Sequence, residues 1–388
     1  MKIVHCCLAS TYVDNYGYQE NILPKVHKFQ GHDVEIIAST ENYLSSRTLG
    51  YSSPGSYINE NGVPVTRLPY VNWLPGIFSR KLRVYKGLMQ KLLEIKPDII
   101  FLHDIQFLDI VEIVKYVKNN PNTKVFVGGH TDFINSARNW LSKNILHKII
   151  YKWCAKKIEP YTEVFFGVTP LRANFFEEVY GINKDKIDVL FLGHDDTVSL
   201  EKSKTEIRQI TRSKYNINED DFLIVTGGRI DERKKIHHLI KAFLELNLEK
   251  SKLLVFGEAT PQMKNEIKSL SSSKNVIHVG WAEQKEIRNF LLASDIAFYP
   301  GTHSVIWEQT VGLGVPAVFK KWEGMDHIDL DGNCIMLNQG DIHEISRIIK
   351  SLVFDKKLVS KMADVSMDKG VRIFSYSSIA KKAIGLDC

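Results

Sequence analysis

Several features that would place a chain in a particular class are missing from these 388 residues. The five cysteines are an odd number without metal-ligand spacing, which excludes a disulfide framework and predicts no zinc or iron–sulfur centre. No run reaches the roughly 18 to 20 apolar residues that cross a bilayer. The apolar stretch Met1–Leu8 is too short for a signal peptide. The sequence therefore predicts a cytoplasmic protein.

The patterns of two further protein classes are also missing. A nicotinamide or flavin enzyme usually carries Gly-x-Gly-x-x-Gly after its first strand, whereas residues 9–18 contain a single glycine. The later turn at Gly227 has two adjacent glycines, which is the wrong spacing. We therefore expect no cofactor. The formal charge of +6 is modest and no nucleic-acid-binding module is present, so nucleic acid is not an expected partner.

The sequence does contain short apolar runs that alternate with amphipathic helical patterns, which is typical of a parallel sheet covered on both faces. Strands are predicted near residues 2–8, 34–38, 63–68, 99–103, 124–127, 164–168, 189–191, 222–226, 252–256, 276–279, 296–299, 317–319 and 334–337. The polar stretch at about 196–221 has no strand pattern and is interpreted as the interdomain connection.

This alternation predicts an α/β protein with two doubly wound domains, residues 1–196 and 197–372. A C-terminal helix near residues 373–388 is expected to pack back on the first domain. Folds of this kind bind ligands beyond the carboxyl ends of their parallel strands. The carboxyl ends of the predicted strands are therefore where functional residues are sought.

The turn after the strand at 222–226 places two cations, Arg229 and Lys234, where a strand gives way to a helix. Asp231 is predicted to cap that helix, whose apolar stripe starts at Ile236. An anion at this turn would meet free helix N–H groups, the positive end of the helix dipole and both cations, which favours a diphosphate. Taken alone, the motif is equally compatible with solvated surface charge.

The second half of the chain resembles the donor-binding domain of the GT-B glycosyltransferases, most closely family 4 (group 1). The resemblance covers nearly the whole chain and consists of short phrases in the family's order: Gly31–Val34, Gly62–Pro69, Lys96–Ile100, Gly193–Asp195, Gly228–Ile230 with Lys234–Lys235, Gly257, Asn275–Gly280, Ala293–Pro300 and Gly314–Val318. It implies two Rossmann-like domains that face each other across a cleft. The first domain would lie on the acceptor side, and the second would bind a nucleotide sugar.

The resemblance also implies roles for single residues. Arg229 and Lys234, next to Gly228, would grip the diphosphate and stabilise the charge that grows on it as the glycosidic bond breaks. Gly17 matches the glycine that approaches the donor phosphates from the first domain, although tyrosines flank it here. His130 matches a histidine that lies beside the donor sugar and assists catalysis. Its alternative reading is a polar residue at a strand end that bonds to its own loop.

The sequence departs from the family at the donor-sugar loop. Family 4 usually carries Glu-x7-Glu, and the first glutamate is missing here. Counting back from Gly314 puts the second glutamate at Gln309, whereas a one-residue insertion would put Glu308 there. Glu308 is the preferred ribose ligand because a carboxylate accepts two hydroxyl bonds. Polar groups of the shortened loop are expected to offset the missing carboxylate: Thr302, His303 and Ser304.

The mechanism implied by the resemblance is retention of anomeric configuration, in which the leaving phosphate takes the acceptor proton. An inverting enzyme would need a base near the acceptor, and Asp104 or Asp132 could serve. As isolated aspartates after strands, both are also typical of caps and turns. The Asp-x-Asp metal motif of the other major glycosyltransferase fold is missing. The sequence therefore predicts a metal-independent reaction.

Two regions of the first half combine cations with aromatic residues. Arg138 to Lys157 holds six Lys or Arg and no acidic residue, with an apolar helical stripe of Leu141, Ile145, Ile149 and Trp153. The second region runs from Trp73 to Lys86. Such surfaces favour an anionic membrane and a lipid-linked acceptor at its inner face. The other reading is that the stripe packs in the core and the lysines are solvated.

Together these features predict a glycosyltransferase that moves a sugar from a nucleotide-diphosphate donor to a lipid-linked or surface-polysaccharide glycan. The preferred donor is a UDP- or GDP-sugar. A sugar-nucleotide epimerase or phosphorylase on the same fold is one alternative. A catalytically silent nucleotide-sugar-binding protein is another, which the missing glutamate favours. The sequence assigns no oligomeric state.

Overall fold

The computed structural model describes residues 1–43, 49–72, 76–132, 142–198 and 202–386, without the side chains of 76–78, 142 and 143. The chain divides into two compact units. Unit 1 comprises Met1–Phe191 and Tyr376–Cys388, and unit 2 comprises Leu192–Ser375. The sequence had placed the boundary at 196/197. Each unit is built around its own sheet.

Unit 1 contains an eight-stranded sheet in the order β10-β9-β8-β7-β1-β2-β6-β5, parallel except for β5, which pairs antiparallel with β6. Its strands, with a separate two-stranded ribbon of β3 and β4, are β1 (Lys2–Cys7), β2 (Asp33–Ser39), β3 (Glu41–Tyr43), β4 (Leu49–Tyr51), β5 (Gly55–Ile58), β6 (Pro64–Leu68), β7 (Ile99–His103), β8 (Lys124–Gly129), β9 (Thr162–Gly167) and β10 (Ile187–Val189). The central strands are almost fully buried, as their continuous apolar sequences predict.

Helices cover both faces of this sheet. They are α1 (Gln19–Phe29), α2 (Gly76–Leu82), α3 (Leu88–Ile95), α4 (Ile110–Asn119), α5 (Lys152–Ile158) and α6 (Pro170–Phe175). Wider π-helical turns at Ser142–Tyr151 and Phe176–Tyr180 adjoin α5 and α6. Short 3₁₀ turns occupy Glu159–Tyr161 and Lys184–Lys186.

Unit 2 contains a six-stranded, all-parallel sheet in the order β13-β12-β11-β14-β15-β16. Its strands are β11 (Phe222–Gly227), β12 (Ser251–Phe256), β13 (Val276–Gly280), β14 (Ile296–Tyr299), β15 (Ala317–Lys320) and β16 (Cys334–Leu337). Every predicted strand of both halves overlaps an observed one. The strands that were not predicted, β3, β4 and β5, are short and largely exposed, so they lack a buried apolar pattern.

The helices of unit 2 are α7 (Lys204–Lys214), α8 (Ile236–Leu246), α9 (Lys264–Leu270), α10 (Gln284–Ala293), α11 (Ile306–Gly312), α12 (Ile342–Phe354), α13 (Lys356–Val365) and α14 (Val371–Ile373). A π-helical segment at Ser366–Gly370 joins α13 to α14, and 3₁₀ turns occupy Glu232–Lys234 and Asp326–Ile328. The apolar face of α8 contributes Leu239, Ile240 and Phe243 to the core of unit 2.

The interpretation of residues 196–221 as a connection is wrong for much of its length, because α7 lies within it. Ser203 and Glu206 form a reciprocal capping box at the start of this helix. The guanidinium of Arg212, 1% exposed, donates to Asp295 at 2.8 Å and anchors the helix inside unit 2. The Ser-x-x-Glu spacing was the sequence signal for this helix.

The last helix, α15 (Tyr376–Ala383), belongs to unit 1, where it packs against α1. Ile379, Ala380 and Ala383 share a buried cluster with Leu23 and Val26 of α1. In the part of the chain that the structure describes, no helix combines the length and the apolar character that crossing a bilayer requires. The predicted α/β class with two doubly wound parallel sheets is confirmed.

Candidate functional site

The turn that follows β11 depends on glycine. A Cβ atom at Gly227 would lie 2.5 Å from the ring of Phe256, and one at Gly257 would lie 1.9 Å from the carbonyl oxygen of Gly228. Gly228 and Gly257 also have φ angles of +110° and +103°, which side chains disfavour. The backbone can therefore turn sharply and leave the strand at the position of the predicted diphosphate site.

Asp231 does not cap the α-helix, so this prediction is wrong. Its carboxylate accepts from the backbone N–H of Lys234 at 3.2 Å and pairs with Arg233 at 2.7 Å, which caps the 3₁₀ turn Glu232–Lys234. Lys235 then adopts a left-handed conformation, φ +51°, and α8 begins at Ile236. Lys234 therefore lies on a separate tight turn in front of the helix.

The two predicted diphosphate ligands have different surroundings. Nζ of Lys234 donates to the carbonyl oxygens of Thr302 and His303, at 2.6 and 3.0 Å. Burial lowers the pKa of Lys234 to about 8. Arg229, by contrast, is exposed, and its guanidinium forms no ion pair or hydrogen bond among the described residues. One cation is held against the sugar loop, and the other is open to an incoming anion.

The sugar loop packs closely on the turn that carries Lys234. Thr302 donates its backbone N–H to the carbonyl of Arg233 at 3.1 Å. A Cβ atom at Gly301 would lie 2.3 Å from that same carbonyl oxygen. Gly301 stands eight residues before Gln309, the place that the first glutamate of Glu-x7-Glu would occupy in that register. The backbone packing therefore leaves no room for a side chain there.

A small cavity lies between the turn and the loop. Lys234, Thr302 and Ser304 contribute to its wall, together with Thr226 and Gly227 at the end of β11. Its volume is about 10 Å³, enough for roughly one water molecule. A diphosphate does not fit into it, so a phosphate would have to approach Lys234 from outside this cavity.

Glu308 is fully buried and binds two imidazoles. Its Oε1 accepts from Nε2 of His303 at 2.7 Å and from Nε2 of His327 at 3.0 Å. Burial alone would raise the pKa of Glu308, but the charge of His303 and the hydrogen bonds from His303 and His327 lower it to about 2. Gln309 is partly exposed. Glu308 thus holds the loop in place, and Gln309 is the more accessible of the two predicted ribose ligands.

His327 belongs to this arrangement although the sequence gave no reason to select it. It lies on the 3₁₀ turn Asp326–Ile328, nineteen residues after Glu308. The contact depends on how the segment after β15 folds back on α11. No local spacing could have indicated it.

In unit 1 the structure brings together His130, Asp104 and Gln19. The backbone N–H of His130 lies 3.3 Å from both carboxylate oxygens of Asp104, and its Nε2 lies 2.9 Å from Oε1 of Gln19. Asp104 adopts φ +67°, and burial raises the pKa of its carboxyl group. Asp104 therefore positions the loop of His130. Gly17 lies in the loop just before α1, between Tyr16 and Tyr18, whose rings are 5.2 Å apart.

Asp132, the other predicted base, is arranged differently. Its carboxylate is buried and forms an ion pair of 2.9 Å with Arg172 on α6. Asp132 is therefore held by α6, whereas the carboxylate of Asp104 contacts the backbone N–H of His130.

The predicted basic region after Arg138 has an exposed face. Ile149 and Trp153 are 61% and 43% exposed, and Lys157 lies over the Trp153 ring at 5.5 Å. The buried face of this segment is formed by His147, Tyr151, Cys154, Ala155 and Ile158. The stripe through Ile149 and Trp153 therefore does not pack in the core. Arg138, Leu141 and the Trp73–Phe78 portion of the second region lie outside the described residues or side chains.

Part of the chain is similar to known glycosyltransferases. Residues 207–366 match the family "Glycosyl transferases group 1". A lipopolysaccharide core biosynthesis glycosyltransferase, LpsE of Rhizobium meliloti (strain 1021), is 29% identical over 174 residues, 44% of this chain and 51% of that protein. The uncharacterised glycosyltransferase MJ1059 of Methanocaldococcus jannaschii is 22% identical over 201 residues, with 50% of this chain and 47% of that protein covered. The chain spans about half the length of the curated relatives that it matches.

Solved structures share the fold over nearly the whole chain. Anabaena Alr3699/HepE in complex with UDP has a TM-score of 0.70 at 14% identity, with 98% of both chains covered. An enzyme described as a UDP-N-acetylglucosamine 2-epimerase from Listeria monocytogenes has a TM-score of 0.62 at 12% identity, with 98% of this chain and 94% of that chain covered. At these identities the likeness shows the fold alone, and the predicted GT-B fold is confirmed. The matches support a glycosyltransferase. They do not distinguish family 4 from other glycosyltransferase families, so membership of family 4 stays a prediction.

Proposed function

We propose that this chain is a glycosyltransferase that moves a sugar from a nucleotide-diphosphate donor to a glycan. The observation that carries the proposal is the cation pair Arg229 and Lys234 at the glycine turn after β11, inside the segment that matches group 1 glycosyl transferases. The guanidinium of Arg229 is exposed and can bind an anion. The ammonium group of Lys234 lies at the loop carbonyls and can also bind the anion. Together they would offset the charge that develops on the leaving diphosphate.

Within this proposal, transfer retains the anomeric configuration and uses no metal at the diphosphate. The two side-chain cations supply the positive charge there. No enzymic base is then required, which fits the ion pair that holds Asp132 and the positioning contact of Asp104. His130 would lie beside the donor sugar, with its loop fixed by Asp104 and its imidazole by Gln19.

The ribose of the donor is proposed to bind at Gln309, with Glu308 in support. Glu308 is buried and bonded to the imidazoles of His303 and His327, so its role is to hold the donor-sugar loop at His303. Gly17 would approach the donor phosphates from unit 1. The donor is proposed to be a UDP- or GDP-sugar.

The acceptor is proposed to be a lipid-linked or surface-polysaccharide glycan at the cytoplasmic face of a membrane. The support is the exposed face of Ile149 and Trp153 with Lys152, Lys156 and Lys157 beside them. Exposed apolar residues among cations suit an interface with anionic lipid. The relative from Rhizobium meliloti is named for lipopolysaccharide core biosynthesis.

A thermal-shift panel of UDP-, GDP-, dTDP- and ADP-sugars tests the donor, since a ligand well above its dissociation constant raises the free energy of unfolding by about 2 to 4 kcal/mol. Release of nucleoside diphosphate from the stabilising donor then tests the reaction, and NMR of the product reports its anomeric configuration. Stabilisation without release would identify a silent nucleotide-sugar-binding protein. Conversion of the sugar without release of diphosphate would identify an epimerase.

A further inference from the structure

Three buried histidines of unit 1 form a hydrogen-bonded chain that ends at a backbone carbonyl. Nε2 of His27 lies 2.7 Å from the carbonyl oxygen of Ala380 in α15. Nε2 of His5 lies 3.0 Å from Nδ1 of His27, and Nε2 of His103 lies 3.0 Å from Nδ1 of His5. All three side chains are 0% exposed. The chain therefore runs from α15 through α1 and β1 to the end of β7.

The carbonyl at one end determines the proton positions along the whole chain. A carbonyl oxygen only accepts, so Nε2 of His27 carries the hydrogen. All three rings are fully buried, and burial of an unpaired charge is costly, so the neutral form is favoured and each ring carries one hydrogen. Nδ1 of His27 is then an acceptor for His5, and Nδ1 of His5 is an acceptor for His103. Nδ1 of His103 is left with a lone pair.

This lone pair is placed in an environment that lacks a donor. Nδ1 of His103 is buried and has no hydrogen-bond partner among the described residues. Ligand atoms of Glu20, His103 and His130 all lie within 4.8 Å of one another. A lone pair and a carboxylate at such a separation repel each other unless a positive charge lies between them. Two acceptor atoms therefore meet at this position, and a cation between them would relieve their repulsion.

A metal ion suits this cluster better than a hydroxyl group does. Nδ1 of His103 is buried away from solvent, so a group of the size of water does not reach it. A zinc ion would lie between its ligands at about 2.0 to 2.2 Å from each. Two imidazoles and a carboxylate are a ligand set that zinc accepts. Glu20 and His130 are only partly buried, which leaves a fourth position toward solvent.

The groups behind the cluster also match a metal site. Imidazoles that bind metal usually donate their other N–H to a fixed acceptor, which orients the ring. Nδ1 of His5 is the acceptor for Nε2–H of His103, at 3.0 Å. Oε1 of Gln19 is the acceptor for Nε2–H of His130, at 2.9 Å. We propose that Glu20, His103 and His130 bind one divalent cation of the zinc class. The site belongs to unit 1, shares His130 with the proposed position of the donor sugar and does not replace the charge of Arg229 and Lys234.

A second cluster, formed by His303, Glu308 and His327, also has closely spaced ligand atoms. Both of its imidazoles already donate to one carboxylate oxygen, at 2.7 and 3.0 Å. Oε1 of Glu308 therefore already has two donors, whereas its Oε2 has no hydrogen-bond partner among the described residues. The test must therefore distinguish the two clusters.

The test is a calorimetric titration of the chelator-treated, full-length chain with Zn²⁺. We expect one ion per chain, and Glu20→Gln should weaken the affinity by about tenfold or more. Glu308→Gln in the second cluster and His343→Ala on the exposed surface of α12 should leave the affinity unchanged. No stoichiometric binding, or a loss in Glu308→Gln with none in Glu20→Gln, would overturn the proposal.

A second measurement on the unsubstituted protein keeps the test independent of how the variants fold. Long-range ¹H–¹⁵N correlation spectra distinguish the two neutral forms of each histidine. We expect His5, His27 and His103 to carry hydrogen on Nε2, and Zn²⁺ to shift Nδ1 of His103. Hydrogen on Nδ1 of His103 would refute the site. Spectra of His103 and His130 that do not change when Zn²⁺ is added would also refute it.

Discussion

Nζ of Lys234 lies 2.6 Å from the carbonyl oxygen of Thr302, which ties the predicted diphosphate ligand to the donor-sugar loop. The carbonyl of His303 accepts a second bond from the same ammonium group. Binding of phosphate by Lys234 and the conformation of the loop are therefore linked. A ligand that draws Lys234 away must also release residues 302 and 303.

Replacing either cation should remove transfer while leaving the fold intact. Arg229→Ala and Lys234→Ala are each expected to lower the rate of nucleoside-diphosphate release by about 10²- to 10³-fold, the size seen when one stabilising donor is removed. Steady-state kinetics with the stabilising donor measure this. Lys241→Ala on α8 and Arg347→Ala on α12 are the matched controls, and equal rates in all four variants would disprove the diphosphate assignment.

Donor use should decline as the pH rises through about 8. Burial lowers the pKa of Lys234 to about 8, so the ammonium loses its proton above that value and with it the attraction for phosphate. The pH profile of kcat/KM for the donor reports this group. In Lys234→Arg the guanidinium stays charged, so the decline near pH 8 should disappear. A profile with the same decline in Lys234→Arg would assign it to another group.

Glu308 should contribute to stability in a pH-dependent way. Its pKa is lowered from 4.5 to about 2 in the folded chain, which corresponds to about 3 kcal/mol at most. This contribution is fully present above pH 4.5 and is lost as the pH falls through 2. Urea unfolding of Glu308→Gln should therefore show a deficit at pH 7 that shrinks toward pH 2.

The matched control for that measurement is Glu245→Gln, an exposed glutamate on α8. It should unfold like the unsubstituted protein at each pH. If Glu308→Gln lost no more stability than Glu245→Gln at pH 7, the buried His303–Glu308–His327 arrangement would not exist in solution.

Membrane binding should depend on the exposed face that carries Ile149 and Trp153. Lys152→Gln with Lys157→Gln is expected to reduce co-sedimentation with anionic vesicles several-fold, because each cation near such a surface contributes about 1 kcal/mol. Lys156 is left unchanged because it bonds to Glu159 and to the carbonyl of Gly181. Lys350→Gln with Lys357→Gln is the charge-matched control in unit 2. An unchanged pellet for the first pair would argue against a membrane role for this face.

Much of the fold followed from local patterns. Buried parallel strands are continuous apolar runs, and they were recognisable from Lys2–Cys7 to Cys334–Leu337. The helix α7 was missed because its residues are mostly polar and only Ile207, Thr211 and Arg212 face inward. The three strands β3, β4 and β5 were missed because an exposed edge strand needs no apolar pattern.

The candidate site was predictable only where its residues adjoin in sequence. Two glycines and two cations within one turn are compatible with an anion site, and the turn at Gly227 has them. The start of α8 was misplaced because a left-handed Lys235 interrupts the helical path after the 3₁₀ turn. No residue-level preference predicts a lysine in that conformation.

The sequence by itself determined the alternation of strands and helices, the position of the cations after β11 and the lack of a glutamate at residue 301. Only the tertiary structure decided which polar side chains meet. His5 and His103 are 98 residues apart in sequence and 3.0 Å apart in the fold, and Glu308 reaches His327 across nineteen residues. Contacts of this kind depend on how adjacent strands are ordered and on how loops fold back on helices. That order is set by packing of the whole core, which no single stretch of sequence specifies.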